Sequence, residues 1–147
     1  MLNEAIKIAV TAHEGQYRKK NKLPYITHPM AVMGKLISYG YTDERILSSA
    51  ILHDVIEDCD VAYSFQIQAL DNQLYEWVEI LTNKPNQNEH LHNAPIEVQL
   101  IKLADIWHNT CDKLNNGYFK RKLNQALILT KVEGTLLYAD VMYNVTR

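Results

Sequence analysis

Glycine and proline are scarce in this chain, at five and four among 147 residues. Sandwiches and barrels built from short strands call for turn residues at regular intervals, and the alternating apolar–polar runs that strands would show are also few. Cysteine is nearly absent. Cys59 and Cys111 stand far apart and match no metal spacing such as C-x-x-C, which removes a disulfide framework and leaves free thiols in a reducing compartment as the expectation. There is no basic excess: the net charge of −2 gives no footprint for nucleic acid or an anionic membrane surface. No apolar run approaches the roughly 20 residues of a membrane span, and Met1 to Val10 is too polar for a secretory signal. A cytoplasmic protein with neither a nucleic-acid nor a membrane partner is expected. Nothing in the chain reveals its oligomeric state.

What is present is helical spacing. The 47% hydrophobic and 22% charged residues suit one globular domain, residues 1–147, with a core of ordinary size. Leu2, Ala5, Ile6, Ala9 and Val10 fall on one helical face before Gly15. Gln16 to Ile26 is polar and rich in Lys and Arg, and reads as a loop. Thr27 is placed to cap a helix with Pro29 in its first turn and Met30, Met33, Leu36 and Ile37 inside, closed by Gly40. Thr42 is placed to cap the next, whose apolar stripe runs from Ile46 to about Asp58. Shorter helices follow from Ser64 to Leu70 and from Leu74 to Leu81. Thr82 to Ala94 reads as the longest loop. Pro95 opens a helix carrying Val98, Ile101, Leu103, Ala104 and Trp107, ended by Asn115, Asn116 and Gly117. A last helix takes Lys120 to Tyr143. The fold expected is all-α, a bundle of about six or seven helices.

Three polar segments interrupt this apolar pattern: Tyr25-Ile26-Thr27-His28-Pro29, Leu52-His53-Asp54-Val55-Ile56-Glu57-Asp58, and Lys102 through Asn109. The middle one is the most telling. A carboxylate and an imidazole side by side on an apolar helix are costly to bury unless something pairs with them, and a divalent cation would do so. His53 and Glu57 are four residues apart, as are Asp54 and Asp58, so each pair shares a helical face.

Together with Ala12-His13-Glu14-Gly15-Gln16-Tyr17-Arg18-Lys19, these segments resemble, in order and spacing, the motifs of HD-domain phosphohydrolases. More narrowly, they resemble the hydrolase domain of RelA/SpoT-type alarmone enzymes and the small alarmone hydrolases. The resemblance runs from residue 5 to about 110. It implies an HD-type helical bundle in which His28, His53, Asp54 and Asp105 hold one divalent metal ion, Mn²⁺ in that family. It implies that Glu57 and Asp58 orient or deprotonate the attacking water. It also implies that Arg18 and Lys19 hold the base and phosphates of a nucleotide, and that Asn109 contacts the nucleotide side of the site. His13 reads as a buttress of the basic loop, and His90, His92 and His108 read as surface residues.

The expected activity is hydrolysis of the 3′-diphosphate of ppGpp-like nucleotides with release of pyrophosphate. The alternatives are an HD-domain phosphohydrolase for another nucleotide or phosphoester, and a non-catalytic nucleotide sensor. The chain departs from the family pattern at Ile106, where arginine is usual, and at Thr110 and Cys111, where a further arginine is usual. The stretch from Leu81 to Lys102 is also shorter than is typical.

Overall fold

In the computed structural model, residues 1–111 and 116–147 are described, and among them every regular element is a helix. These are α1 (Leu2–Ala12), α2 (Thr27–Ser38), α3 (Glu44–Leu52), α4 (Val55–Asp58), α5 (Ala62–Leu70), α6 (Asn72–Leu81), α7 (Gln87–Asn93), α8 (Ile96–Asn109), α9 (Asn116–Leu127) and α10 (Leu136–Thr146), with a 3₁₀ turn at Thr130–Val132. The all-α class is as expected. The helices outnumber the six or seven read from periodicity because polar interruptions cut long apolar stripes into pieces. Residues 53–54 separate α3 from α4, α7 occupies part of the expected 82–94 loop, and the expected final helix is divided around the 3₁₀ turn. Asn115, expected to end the α8 helix, lies outside the described residues.

The caps also differ. Asp43, not Thr42, caps α3, accepting from the N–H groups of Arg45 at 3.0 Å and Ile46 at 3.1 Å. A carboxylate at this point satisfies two otherwise orphaned donors and complements the helix dipole. Thr27 lies inside α2, where its hydroxyl donates to Pro24 O at 2.8 Å. Ser64 lies within α5, and Asp60 instead accepts from Ala62 N at 2.8 Å. At the end of α2, Gly40 takes a left-handed φ of 84° and Tyr41 N–H returns to Leu36 O at 3.0 Å, the Schellman arrangement that only glycine adopts cheaply.

The buried face of α2 is His28, Pro29, Val32 and Leu36. Met30 and Ile37, expected inside, are exposed, as is Val10 of α1. The helix is rolled so that the line through residues 28, 32 and 36 faces inward, and this roll carries a histidine into the interior. Two adjoining apolar clusters make the core. One joins α2, α3, α6, α8 and the C-terminal helices around Leu36, Ile101, Leu103 and Leu137. The other packs α1 and α5 on α3 and α6 around Ala5, Ile51, Ile67 and Val78. Met33 touches both. Helices α2, α3 and α8 pack on one another, so the start of α2, the α3–α4 break and the last turns of α8 meet at one place.

Candidate metal centre

His28 enters this place from the first turn of α2, His53 and Asp54 from the α3–α4 break, and Asp105 from α8. The break has a local cause. The His53 backbone N–H and its ring Nδ1 both turn to Ala50 O, at 3.4 and 2.7 Å. Asp54 stands at the N-cap of α4 yet makes no capping bond, because its carboxylate is turned inward. Asp54 Oδ2 lies 3.0 Å from His53 Nε2 and 3.6 Å from His28 Nε2. Asp105 Oδ1 lies 3.0 Å from His28 Nε2 and 3.4 Å from His53 Nε2. The two Nε2 atoms are 3.2 Å apart.

These separations suit a shared ion. Ligand atoms about 2.1 Å from one cation stand about 3.0 Å apart at a right angle and about 3.4 Å apart at the tetrahedral angle. The donor set, two imidazoles and two carboxylates, matches what Mn, Fe, Co or Zn accept. His28, His53 and Asp54 alone already offer three ligand atoms within 4.8 Å of one another. With Nδ1 of His53 donating to Ala50 O, its Nε2 carries the lone pair that a cation would use. The residues present therefore fit a divalent metal ion.

The electrostatics agree with charge pooled at this point. Burial opposes the ionised form of Asp105, but Lys102 and the two histidines outweigh it and hold the carboxyl well below its usual range. Lys102 Nζ is 2.8 Å from Asp105 Oδ2, leaving Oδ1 for the histidine side. Burial likewise opposes the charge on Asp54, and His53 outweighs it, so the group stays ionised. Burial would depress His53, yet the carboxylates of Asp54 and Asp105 raise it; in His28 burial wins.

Of the other predicted site residues, Asn109 donates to Asp105 Oδ1 at 2.9 Å, one turn along α8. Glu57 is exposed, its Oε1 accepting from Asn83 N at 2.9 Å. Asp54, Glu57 and Asp58 present carboxylate oxygens within 4.8 Å of one another. Burial, then the charges of Asp54 and Glu57, push the Asp58 carboxyl up to about 6. A cavity of about 600 Å³ opens over the cluster, and Glu57 and Asn109 line it while Asp58, which is exposed, Arg18 and Lys19 do not. Arg18 is buried at the edge of the loop, its guanidinium 6.0 Å from the Tyr25 ring, and Lys19 is exposed. His13 is buried with Nδ1 2.8 Å from Gln16 Oε1, the buttress expected of it.

Several neighbours escaped the sequence reading. The Tyr25 hydroxyl donates to Asp54 Oδ2 at 2.7 Å. His108, expected at the surface, is half-buried, with its Nδ1 2.7 Å from Nδ1 of His28. Its ring lies within 25° of the His28 plane with centroids 5.0 Å apart. The rings thus meet edge to edge, nearly coplanar, which is the geometry of an N–H···N bond rather than of a face-to-face stack. From α9, Tyr118, Arg121 and Lys122 form part of the cavity wall. His108 could have been found from its place three residues after Asp105, one turn along the same helix face. No spacing rule pointed to α9.

An all-helical fold that gathers a His-Asp pair, a further histidine and a late aspartate defines the HD-domain class. No family model matches the chain. It is 32% identical over 124 residues to guanosine-3′,5′-bis(diphosphate) 3′-pyrophosphohydrolase MESH1 of Xenopus tropicalis, covering 76% of this chain and 69% of MESH1. It is 37% identical over 123 residues to the bifunctional (p)ppGpp synthase/hydrolase SpoT of Escherichia coli K12, covering 74% of this chain and 17% of SpoT. The chain thus spans about a sixth of the bacterial protein's length. Its fold superposes with a TM-score of 0.87 on a metazoan ortholog of SpoT described as hydrolysing ppGpp, at 24% identity over 99% of this chain and 93% of that one. The chain belongs to the SpoT–MESH1 family of HD-domain proteins.

Proposed function

We propose that the chain hydrolyses the 3′-diphosphate of guanosine alarmones such as ppGpp, releasing pyrophosphate, with one divalent cation held by His28, His53, Asp54 and Asp105. The observation that carries this reading is the approach of those four side chains, from three stretches of chain, to within 3.0–3.6 Å across the contacts that link them. The names of SpoT and MESH1 supply the substrate class. Bound there, a cation of this kind, Mn²⁺ in this reading, would acidify a water molecule and polarise a phosphoryl oxygen.

The chain's own residues do the rest. Glu57, fixed by the Asn83 N–H at the cavity wall, orients the attacking water. Asp58, whose carboxylate lies within 4.8 Å of those of Asp54 and Glu57, takes the water's proton and returns it to the 3′-oxygen as the phosphorus–oxygen bond breaks. Asn109 keeps Asp105 aligned and faces the nucleotide. Arg18 and Lys19 lie outside the cavity lining, on the loop beside Tyr25, and in this reading they take the purine edge and a phosphate where the nucleotide extends past the cavity rim. Residues 1–147 work in this reading as one domain in the cytoplasm, with a small-molecule nucleotide as partner.

The test is a nucleotide panel offered to Mn²⁺-loaded protein, with products separated by ion exchange. Pyrophosphate and GDP in equal amounts from ppGpp is the expected result. Turnover of other nucleotides with none of ppGpp would overturn the substrate assignment.

A further inference from the structure

The far wall of the cavity belongs to α9, beyond the reach of the sequence motifs. Tyr118 there is ringed by cations: Lys122 Nζ lies 5.4 Å, Arg121 Cζ 5.7 Å and Lys20 Nζ 5.7 Å from its ring centroid. Arg121 and Lys122 make no ion pair with any described carboxylate. Both face a cavity that already holds the Lys102 ammonium, and Lys102 is committed to Asp105. Lys122 is half-buried, and burial together with Lys102 pushes its ammonium below the usual lysine range. Among the described residues the carboxylates that share the cavity, Asp54, Glu57 and Asp105, are engaged with the histidines, Tyr25, Asn83 and Lys102, so none is left to pair directly with Arg121 or Lys122, and crowding like charges there is unfavourable in the free protein. The arrangement becomes favourable when an anion enters. Ile106 is fully buried, and Thr110 turns its hydroxyl back to Ile106 O at 2.7 Å, so neither lends charge to the cavity. Positive charge reaches the cavity from α8 as Lys102 and from α9 as Arg121 and Lys122.

We propose that Arg121 and Lys122, set around Tyr118 on α9, form a phosphate-binding subsite that grips a phosphoryl group of the nucleotide away from the metal-ligand cluster. The phosphate can be the 5′-diphosphate of the nucleotide or the outer part of its 3′-diphosphate, since guanidinium and ammonium bind both alike. The inference rests on the functional reading only for which nucleotide carries the phosphate. The subsite itself is tested by binding.

Calorimetric titration of the metal-loaded protein with guanosine, GDP, guanosine 3′-monophosphate and pyrophosphate gives the readout, repeated with Arg121→Gln, Lys122→Gln and the double variant. In the wild type at least one phosphate-bearing ligand should bind tighter than guanosine. The double variant should lose about tenfold or more of that advantage, with metal content and guanosine binding unchanged. Loss for GDP identifies a 5′ subsite, and loss for guanosine 3′-monophosphate or pyrophosphate a 3′ one. If every phosphate ligand keeps its advantage in the double variant, or guanosine weakens equally, the proposal is overturned. If the advantage is lost as expected while ppGpp is not hydrolysed by the wild type, the subsite stands and the alarmone reading fails.

Discussion

At the scale of single residues, the centre is defined by what each side chain does with its second polar atom. Asp105 gives one oxygen to Lys102 and the other to the histidines. His53 gives Nδ1 to Ala50 O, and His28 gives Nδ1 to His108. This is the outer layer that fixes tautomer and orientation in metal sites. His108→Phe keeps a planar ring but removes the acceptor, so metal affinity measured by competition with a chelator should fall by about 10–100-fold with circular dichroism unchanged; an unaltered affinity would return His108 to a packing role. Asp54→Ala should eliminate both metal binding and turnover while the helical content persists. The carboxylate it removes is not needed as a cap, because Asp54 makes no capping bond in the native chain. Full turnover by this variant after metal removal would refute its role.

At the scale of elements, the helices were legible because burial of one face imposes a 3.6-residue period; α8 departs from the stripe expected of it, since every residue from Val98 to Ile106 is buried, Gln99, Leu100 and Lys102 included, while Trp107 is only half-buried. Caps and breaks were less legible. Thr42 and Asp43 are both good caps in isolation and adjacent in sequence, so the spacing did not separate them; Asp43 is the one whose carboxylate reaches Arg45 N and Ile46 N. The α3–α4 break was hidden because Leu52, Val55 and Ile56 continue the apolar spacing across it, while the reason for it, the inward turn of His53 and Asp54, is tertiary. The N-terminus of α6 offers a test of the element level. Asp71 accepts from Leu74 N at 2.7 Å and takes a two-point grip from Arg45 at 3.1 and 3.2 Å. Asp71→Ala should lower stability by about 1–2 kcal/mol in denaturant unfolding. Arg45 holds the Asp71 carboxyl below its usual range. Its contribution is therefore present above the unfolded carboxyl pKa, near 3.9, and lost as pH falls through the lower folded value. The difference between wild type and variant should shrink in acid and stay constant from pH 5 to 8; a constant difference down to pH 2 would contradict the assignment.

At the scale of the whole molecule, α2, α3 and α8 pack so that three segments distant in sequence present ligands to one point. His28, His53, Asp54 and Asp105, which meet there, were picked out by the resemblance of the motifs around them, with only the adjacent His53 and Asp54 suggested by their own chemistry. The α9 wall was not, since Tyr, Arg and Lys on a polar helix face look like ordinary solvated surface. A site assembled from three helices also ties metal binding to folding: an ion held only by the native state adds stability as RT ln(1 + [M]/Kd), about 2.7 kcal/mol at a hundredfold excess over Kd. The midpoint of thermal unfolding should rise with Mn²⁺ concentration in the wild type and not in Asp54→Ala. The most direct test of the shared-ion geometry is the metal stoichiometry of the wild type beside His28→Ala, His53→Ala, Asp54→Ala and Asp105→Ala, measured by elemental analysis after dialysis. One ion per chain in the wild type, with a large loss in each of the four, is the predicted result. Full metal content in any folded variant would show that its side chain is not a ligand, and full content in two or more would contradict the four-residue centre.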